Sequence, residues 1–296
     1  MARYAVVLPV SADELGFCLR DSGLLGYFLD REVDVYVMVN GPDALDALRF
    51  FNKMSQPRIQ RLHLCYGGRE PNPYPARNIG LRMVMTCRYY DAAVLMDADC
   101  IPEEGYHSNL VSTLNPYDLY AGVIKTTIPD TDTPHFNMLR EIGFECYDGY
   151  RPDDICVGAN MVIGKRVYEL VGDMATKRSG GDADYSVRFK SMGGNTTPRS
   201  DLVVRKKING MSLLGILRKQ ALRGASDPLH ADASMVDIRK RIVDEMSILA
   251  SRMTPYEDAP MTAEEYGIIV DGIFSLVYHL GRLAGKVDDP ARSDSD

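Results

Sequence analysis

The sequence predicts an α/β protein with a mostly parallel central sheet flanked by helices, followed by an α-helical C-terminal extension. Short apolar, β-branched runs alternate with amphipathic segments through residues 4–96. Four such strands joined by crossover helices imply parallel pairing with right-handed connections. After Asp227-Pro228 the apolar residues switch to helical spacing. The chain has 296 residues, 45% hydrophobic and 25% charged, enough for one large core with a small appendix.

Tyr4 to Pro9 is the first buried strand. Ser11-Ala12-Asp13-Glu14 places Ser and Glu three apart, the reciprocal capping pattern, and predicts a helix over about 12–29. Val33 to Val39 is a second strand ending in the turn Asn40-Gly41-Pro42-Asp43, and Ala44, Leu45, Ala47, Leu48 and Phe51 form the next helical face. Arg58 to Tyr66 reads as a third strand, 67–75 as a loop, Ala76 to Arg88 as a helix and Ala92 to Met96 as a fourth strand, with Cys100-Ile101-Pro102 continuing as a loop. From Leu119 to Lys207 the pattern is broken, with strand-like pieces near 119–124, 157–163 and 201–206 and a helix from near Asp184, a mixed half expected on the acceptor side. Met235, Val236, Ile238, Ile242, Val243, Met246 and Leu249 then mark one helix, and about 262–285 a second. This reading gives two domains, 1–225 and 226–296.

A net charge of −7 argues against a nucleic-acid partner, which requires clustered Lys and Arg. The six cysteines form no CxxC pair and sit mostly in apolar segments, as small buried hydrophobes in a reducing compartment do. The opening MARYAVVLPV has no signal-peptide features, so a cytoplasmic location is expected. Asn195-Thr196-Thr197 reads as a polar turn before a strand. The longest uncharged run near the C-terminus, Gly272 to Gly281, is about half the span of a bilayer, leaving peripheral contact as the membrane option. The stripe Ile269, Ile273, Leu276, Val277, Leu280, Leu283 is expected to be a dimer or domain-packing face.

In sheets of this kind ligands bind beyond the carboxyl ends of the strands, where Pro9, Asn40 and Asp97 fall. Asp97-Ala98-Asp99 puts two carboxylates after a buried strand, and period-two alternation would aim both into one cleft. Two hard oxygen ligands with phosphate oxygens completing the shell suit Mg2+ or Mn2+. Aspartates also end strands and make turns, so spacing alone leaves both readings open.

Six blocks supply context: LPVSADE (8–14), VMVNGPD (37–43), PARNIGL (75–81), LMDADCIPE (95–103), CVGANMVIGKRVYELVG (156–172) and GGDADYSVRFKSMG (180–193). In order and approximate spacing they resemble glycosyltransferase family 2 over residues 4–225. The resemblance implies a GT-A fold, Rossmann-like, and transfer of a hexosyl or acetylhexosaminyl group from a nucleotide-diphosphate sugar to an acceptor hydroxyl.

Carried onto this chain, the resemblance makes Asp99 the principal ligand of a Mn2+ or Mg2+ ion, with Asp97 shared between metal and nucleotide. Asp182 becomes the base of an inverting transfer, although Gly181 stands where the family carries Glu. As the start of a helix, Asp182 also reads as a cap for Ala183 to Tyr185. Asn40, where Asp is usual, is expected at the nucleotide. Arg77 and Asn78, read as opening a helix, are expected at the diphosphate. The segment Arg218-Lys219-Gln220-Ala221-Leu222-Arg223 resembles the basic stretch that closes over it, without the usual aromatic residue; the chain has no Trp. His230 is a candidate to complete the metal shell. Haloacid-dehalogenase-type phosphatases carry Asp-x-Asp near the chain start with Thr close behind, and nucleotidylyltransferases need a Gly-rich basic loop after strand one; neither pattern is present. The remaining alternative is a catalytically silent nucleotide-sugar or partner-binding module.

Overall fold

The computed structural model describes residues 3–21, 23–53, 60–127, 156–176, 180–207, 221, 235–253, 273, 275–280 and 282. The chain divides into two compact units, Met1–Thr127 with Tyr147–Lys207, and Ile128–Cys146 with Ile208–Asp296.

The first unit is α/β, as expected. Its strands are β1 (Tyr4–Ser11), β2 (Asp34–Asn40), β3 (Leu62–Gly68), β4 (Ala92–Met96), β5 (Cys100–Pro102), β6 (Leu119–Thr127), β7 (Asn160–Gly164) and β8 (Thr196–Lys207). They form one sheet in the order β3-β2-β1-β4-β7-β6-β8-β5. The β3-β2-β1-β4 half is parallel, as its crossover helices require, while β7 runs antiparallel to β4 and β6, and β5 antiparallel to β8. β8 returns parallel to β6.

The helices are α1 (Leu15–Asp21), α2 (Gly23–Leu29), α3 (Ala44–Lys53), α4 (Pro73–Thr86), α5 (Tyr106–Thr113), α6 (Lys165–Val171) and α7 (Gly181–Ser191). Alternating strand residues face opposite ways, so the sheet carries a core on each side. Val6, Leu8 and Val10 of β1 pack with α1, α2, α3 and α5; Ala5 and Val7 pack with α4, α6 and α7. All five residues of β4 are buried, which is why this strand reads as a continuous apolar run.

Several expectations are corrected. The helix over 12–29 is a 3-10 turn (Ala12–Glu14) followed by α1 and α2. Ser11 Oγ donates to Glu14 Oε2 at 2.8 Å and caps no backbone N–H. Cys100-Ile101-Pro102 is a strand, because pairing with distant β8 overrides its loop-like composition. α4 starts at Pro73, three residues early, with Asn72 as N-cap accepting from the Tyr74 N–H. Cys18, Cys100 and Cys156 are buried, as small hydrophobes are, and Cys65 and Cys87 are half-buried; Cys146 lies outside the described residues.

In the second unit, α8 (Met235–Met253) buries Ile238 and Ile242 and exposes Val243 and Met246. Ser275 Oγ donates to Glu245 Oε1 at 2.9 Å. Of the expected 262–285 helix, residues 273, 275–280 and 282 are described and helical; Ile273 and Leu280 are exposed, while Ile269 and Leu283 lie outside the described residues. No helix among the described residues is long and apolar enough to cross a membrane.

Candidate functional site

β4 ends at Met96, and Asp97-Ala98-Asp99 is the turn into β5, closed by a bond from the Cys100 N–H to the Asp97 carbonyl at 3.1 Å. The two carboxylates therefore do not face alike through strand alternation. They converge because both reach one cation: the Lys206 ammonium lies 2.5 Å from Asp97 Oδ2 and 3.2 Å from Asp99 Oδ1. Lys206 sits on β8 opposite Cys100 of β5, which sets its side chain beside the turn. Burial works to lower the ammonium's pKa, but Asp97, Cys100 and Asp99 outweigh it, so the group is raised and stays charged.

Asp97 has a second cationic partner. Arg77 Nη2 donates to Asp97 Oδ1 at 2.5 Å from the interior of α4. The cations lie beneath and the acids face outward: side-chain exposure is 5% for Arg77 and 9% for Lys206, against 29% for Asp97 and 37% for Asp99. Arg77 Nε is buried without a hydrogen-bond partner in the described structure.

Asp182 lies in the first turn of α7, whose N-cap is Gly180. Its Oδ1 accepts from the Ala183 N–H at 3.0 Å and the Tyr74 hydroxyl at 3.0 Å, and its Oδ2 accepts from the Gly158 N–H at 2.7 Å. Asp182 is thus not the helix cap: one of its three bonds comes from its own helix, and donors from α4 and from the segment before β7 supply the others. Burial and the Asp182 charge together raise the Tyr74 hydroxyl's pKa, so it stays protonated and donates.

Arg77 links the two acidic groups. It lies against Gly158, where an added Cβ would stand 2.6 Å from Arg77 Nη1, and the same Gly158 donates its N–H to Asp182. Glycine at 158 is therefore what lets the guanidinium reach Asp97. Gly181 has a comparable cause: a Cβ there would meet the Ala175 carbonyl oxygen at 2.5 Å and the Tyr74 ring at 2.8 Å. No side chain fits where the resemblance leads one to expect Glu.

No protein-family model matches the chain, and no curated protein matches it by sequence. Solved structures it is similar to include the mannosyltransferase PcManGT from Pyrobaculum calidifontis in complex with GDP-Man and Mn2+, at 15% identity over 98% of this chain and 75% of that one, with a TM-score of 0.48. S. aureus TarS is similar at 11% identity over 97% of this chain and 54% of that one, TM-score 0.48, so the chain spans about half of TarS. A197 from STIV is similar at 14% identity over 68% of this chain and 84% of that one, TM-score 0.39. One fold hosts many chemistries, so function has to be argued from the site.

The remaining expected residues divide. Pro9 is half-buried on β1, beyond the last pairing with β4, where its missing N–H costs no bond to that strand. Asn40 is buried, and its amide donates to the carbonyls of Glu70 and Asn72 at 3.1 Å each, pinning the 69–72 loop to the end of β2. Asn78 is a correction. It does not open a helix or face a cleft; its Nδ2 donates to the Met174 carbonyl and its Oδ1 accepts from the Met174 N–H, both at 2.8 Å. Arg77, likewise inside α4 rather than at its start, brings a side chain to the site but no helix-end N–H. Arg218, Gln220, Arg223 and His230 lie outside the described residues.

Sequence reasoning missed Lys206 and Tyr74. Lys206 carried a usable signal: Leu202 and Val204 are buried, so a lysine two residues on continues the inward face of β8 and requires a buried partner. Tyr74 carried none, since its role depends on a contact 108 residues away.

Proposed function

We propose that the chain is a glycosyltransferase that moves a sugar from a nucleotide-diphosphate donor to an acceptor hydroxyl. The observation that supports this reading is the meeting of the Asp97-Asp99 pair with Asp182 across Arg77, beyond the end of β4. Sugar transfer needs these two functions side by side: charged groups that hold a diphosphate as it leaves, and a carboxylate that takes the acceptor's proton. Asp182 suits the second task because three donors fix its position, and a base held in place loses little in ordering. We assign it the base of an inverting transfer.

Two hard carboxylate oxygens aimed at one cation match the chemistry of Mg2+ or Mn2+, and the Lys206 ammonium, itself a cation bridging both acids, stands in for such an ion. Asp97 and Asp99 would hold the metal. The donor's phosphates would complete the shell, with His230 as a further candidate ligand. A bound divalent ion supplies charge stabilisation for the departing diphosphate. Arg77 orients Asp97, and Lys206 compensates the pair.

A thermal-shift screen of nucleotide-diphosphate sugars, with and without Mn2+, tests the reading, because a ligand of the folded state raises the melting temperature by mass action. One nucleotide class is expected to stabilise the protein and to be hydrolysed or transferred. Stabilisation without turnover would favour a binding module, the reading that Gly181 in place of Glu keeps in view. No response to any donor would sink both.

A further inference from the structure

Lys206 raises a problem of charge. Lys206 seats a buried ammonium against both acids and Arg77 a second cation against Asp97, so a free divalent ion reaching the pair meets positive charge already in place. An ion approaching Asp97 and Asp99 also approaches a buried ammonium already bonded to both, and like charges at such range repel strongly where water is scarce. The backbone of Lys206 cannot yield, because β8 is laddered at this residue to β5 on one side and β6 on the other. Only the four-carbon side chain can swing.

We propose that Lys206 is the resident counter-ion of the acidic pair, withholding Asp97 and Asp99 from a free divalent metal so that the ion binds well only when a diphosphate arrives with it. The diphosphate gives the ammonium a new anionic partner and brings negative charge of its own to the ion. Metal and donor then raise each other's affinity, as reciprocal linkage requires. The role of the diphosphate rests on the glycosyltransferase reading; the withholding of the acids does not.

The test uses the full chain and Mn2+ alone, followed by calorimetry and by melting temperature. Lys206→Gln removes the charge and keeps a hydrogen-bond donor for the acids; it is expected to bind Mn2+ about tenfold more tightly than wild type, within the usual range of coupling between sites. Its melting temperature should also rise more with Mn2+. Lys206→Arg, which keeps the charge, should bind Mn2+ as wild type does. Equal Mn2+ affinity in wild type and Lys206→Gln would overturn the proposal, as would a gain in Lys206→Arg. Should Lys206→Gln not fold, the wild type decides: binding of Mn2+ alone with a dissociation constant of about 1 μM, a full-strength interaction, overturns it, and far weaker binding supports it. Because no nucleotide is present, failure here leaves the glycosyltransferase reading standing, and a protein that transfers no sugar can still pass.

Discussion

Asp182 spends both its oxygens on donors, and that fixes what its substitution should do. In Asp182→Asn one carboxylate oxygen becomes an NH2 group facing either the Gly158 or the Ala183 backbone N–H, two donors head to head. The change should cost about 1–3 kcal/mol of stability while leaving the fold intact. Under the proposed function, turnover should fall about 10²- to 10⁴-fold, the usual share of a general base. Circular dichroism and a turnover assay of the purified variant check the two parts; undiminished turnover would remove Asp182 from the chemistry. Residue types were a good guide here as far as they went. Asp97, Asp99, Asp182 and Arg77 were each legible as chemistry-bearing groups, and all four meet at one end of the sheet. Which of them bond was not legible, because each bond joins segments remote in sequence. Asn78 shows the converse: beside Arg77 it looked like a second ligand-facing group, yet adjacent positions on a helix point about 100° apart, and the one position further on turns it to Met174.

At the scale of elements, that Asn78 pair is one tie between α4 and the segment leading to α7, beside the Arg82–Asp173 ion pair. Asn78→Ala would leave the Met174 N–H and carbonyl buried without partners, at about 1–3 kcal/mol. Urea unfolding should show the loss as a lower midpoint at unchanged slope. Elements with strong local signals were legible: β1, β2 and β4 lie within one residue or so of their apolar runs, apart from the extra turn of strand at the end of β1. β5 was not, since a three-residue strand ending in Pro exists only through β8, and α5 was missed because Gly105 at its N-cap, with positive φ and no side chain, gives no capping pattern to read.

At the scale of the whole molecule, the ion pairs set a pH dependence. Burial tends to raise Asp173's pKa, but Arg82 and Tyr168 hold it below the usual carboxylate range; bonds from Arg205 and Arg199 do the same for Glu103 and Asp201. A carboxyl group with a depressed folded-state pKa binds its proton more readily when unfolded, so its contribution is present above the unfolded value of about 4 and is lost as pH falls through the folded value. Melting temperature should therefore decline below about pH 4, and Asp173→Asn should flatten that decline. Each pair is partly exposed, so the effect is modest and weakens with salt. The α/β class was legible because period and strand spacing are local properties. The switch from parallel to antiparallel pairing beyond β4 was not, because it depends on where β6, β7 and β8 return.

The position of β8 has a consequence for how the protein is made. Asp97 and Lys206 stand 109 residues apart, and the lysine reaches the acids only after β8 has slotted between β6 and β5. A nascent chain ending at Gly194 would already carry both aspartates and Arg77 but not the ammonium that bridges the acids. Ordering of that turn thus waits for β8, the last strand among the described residues, and the pocket matures after the scaffold beneath it.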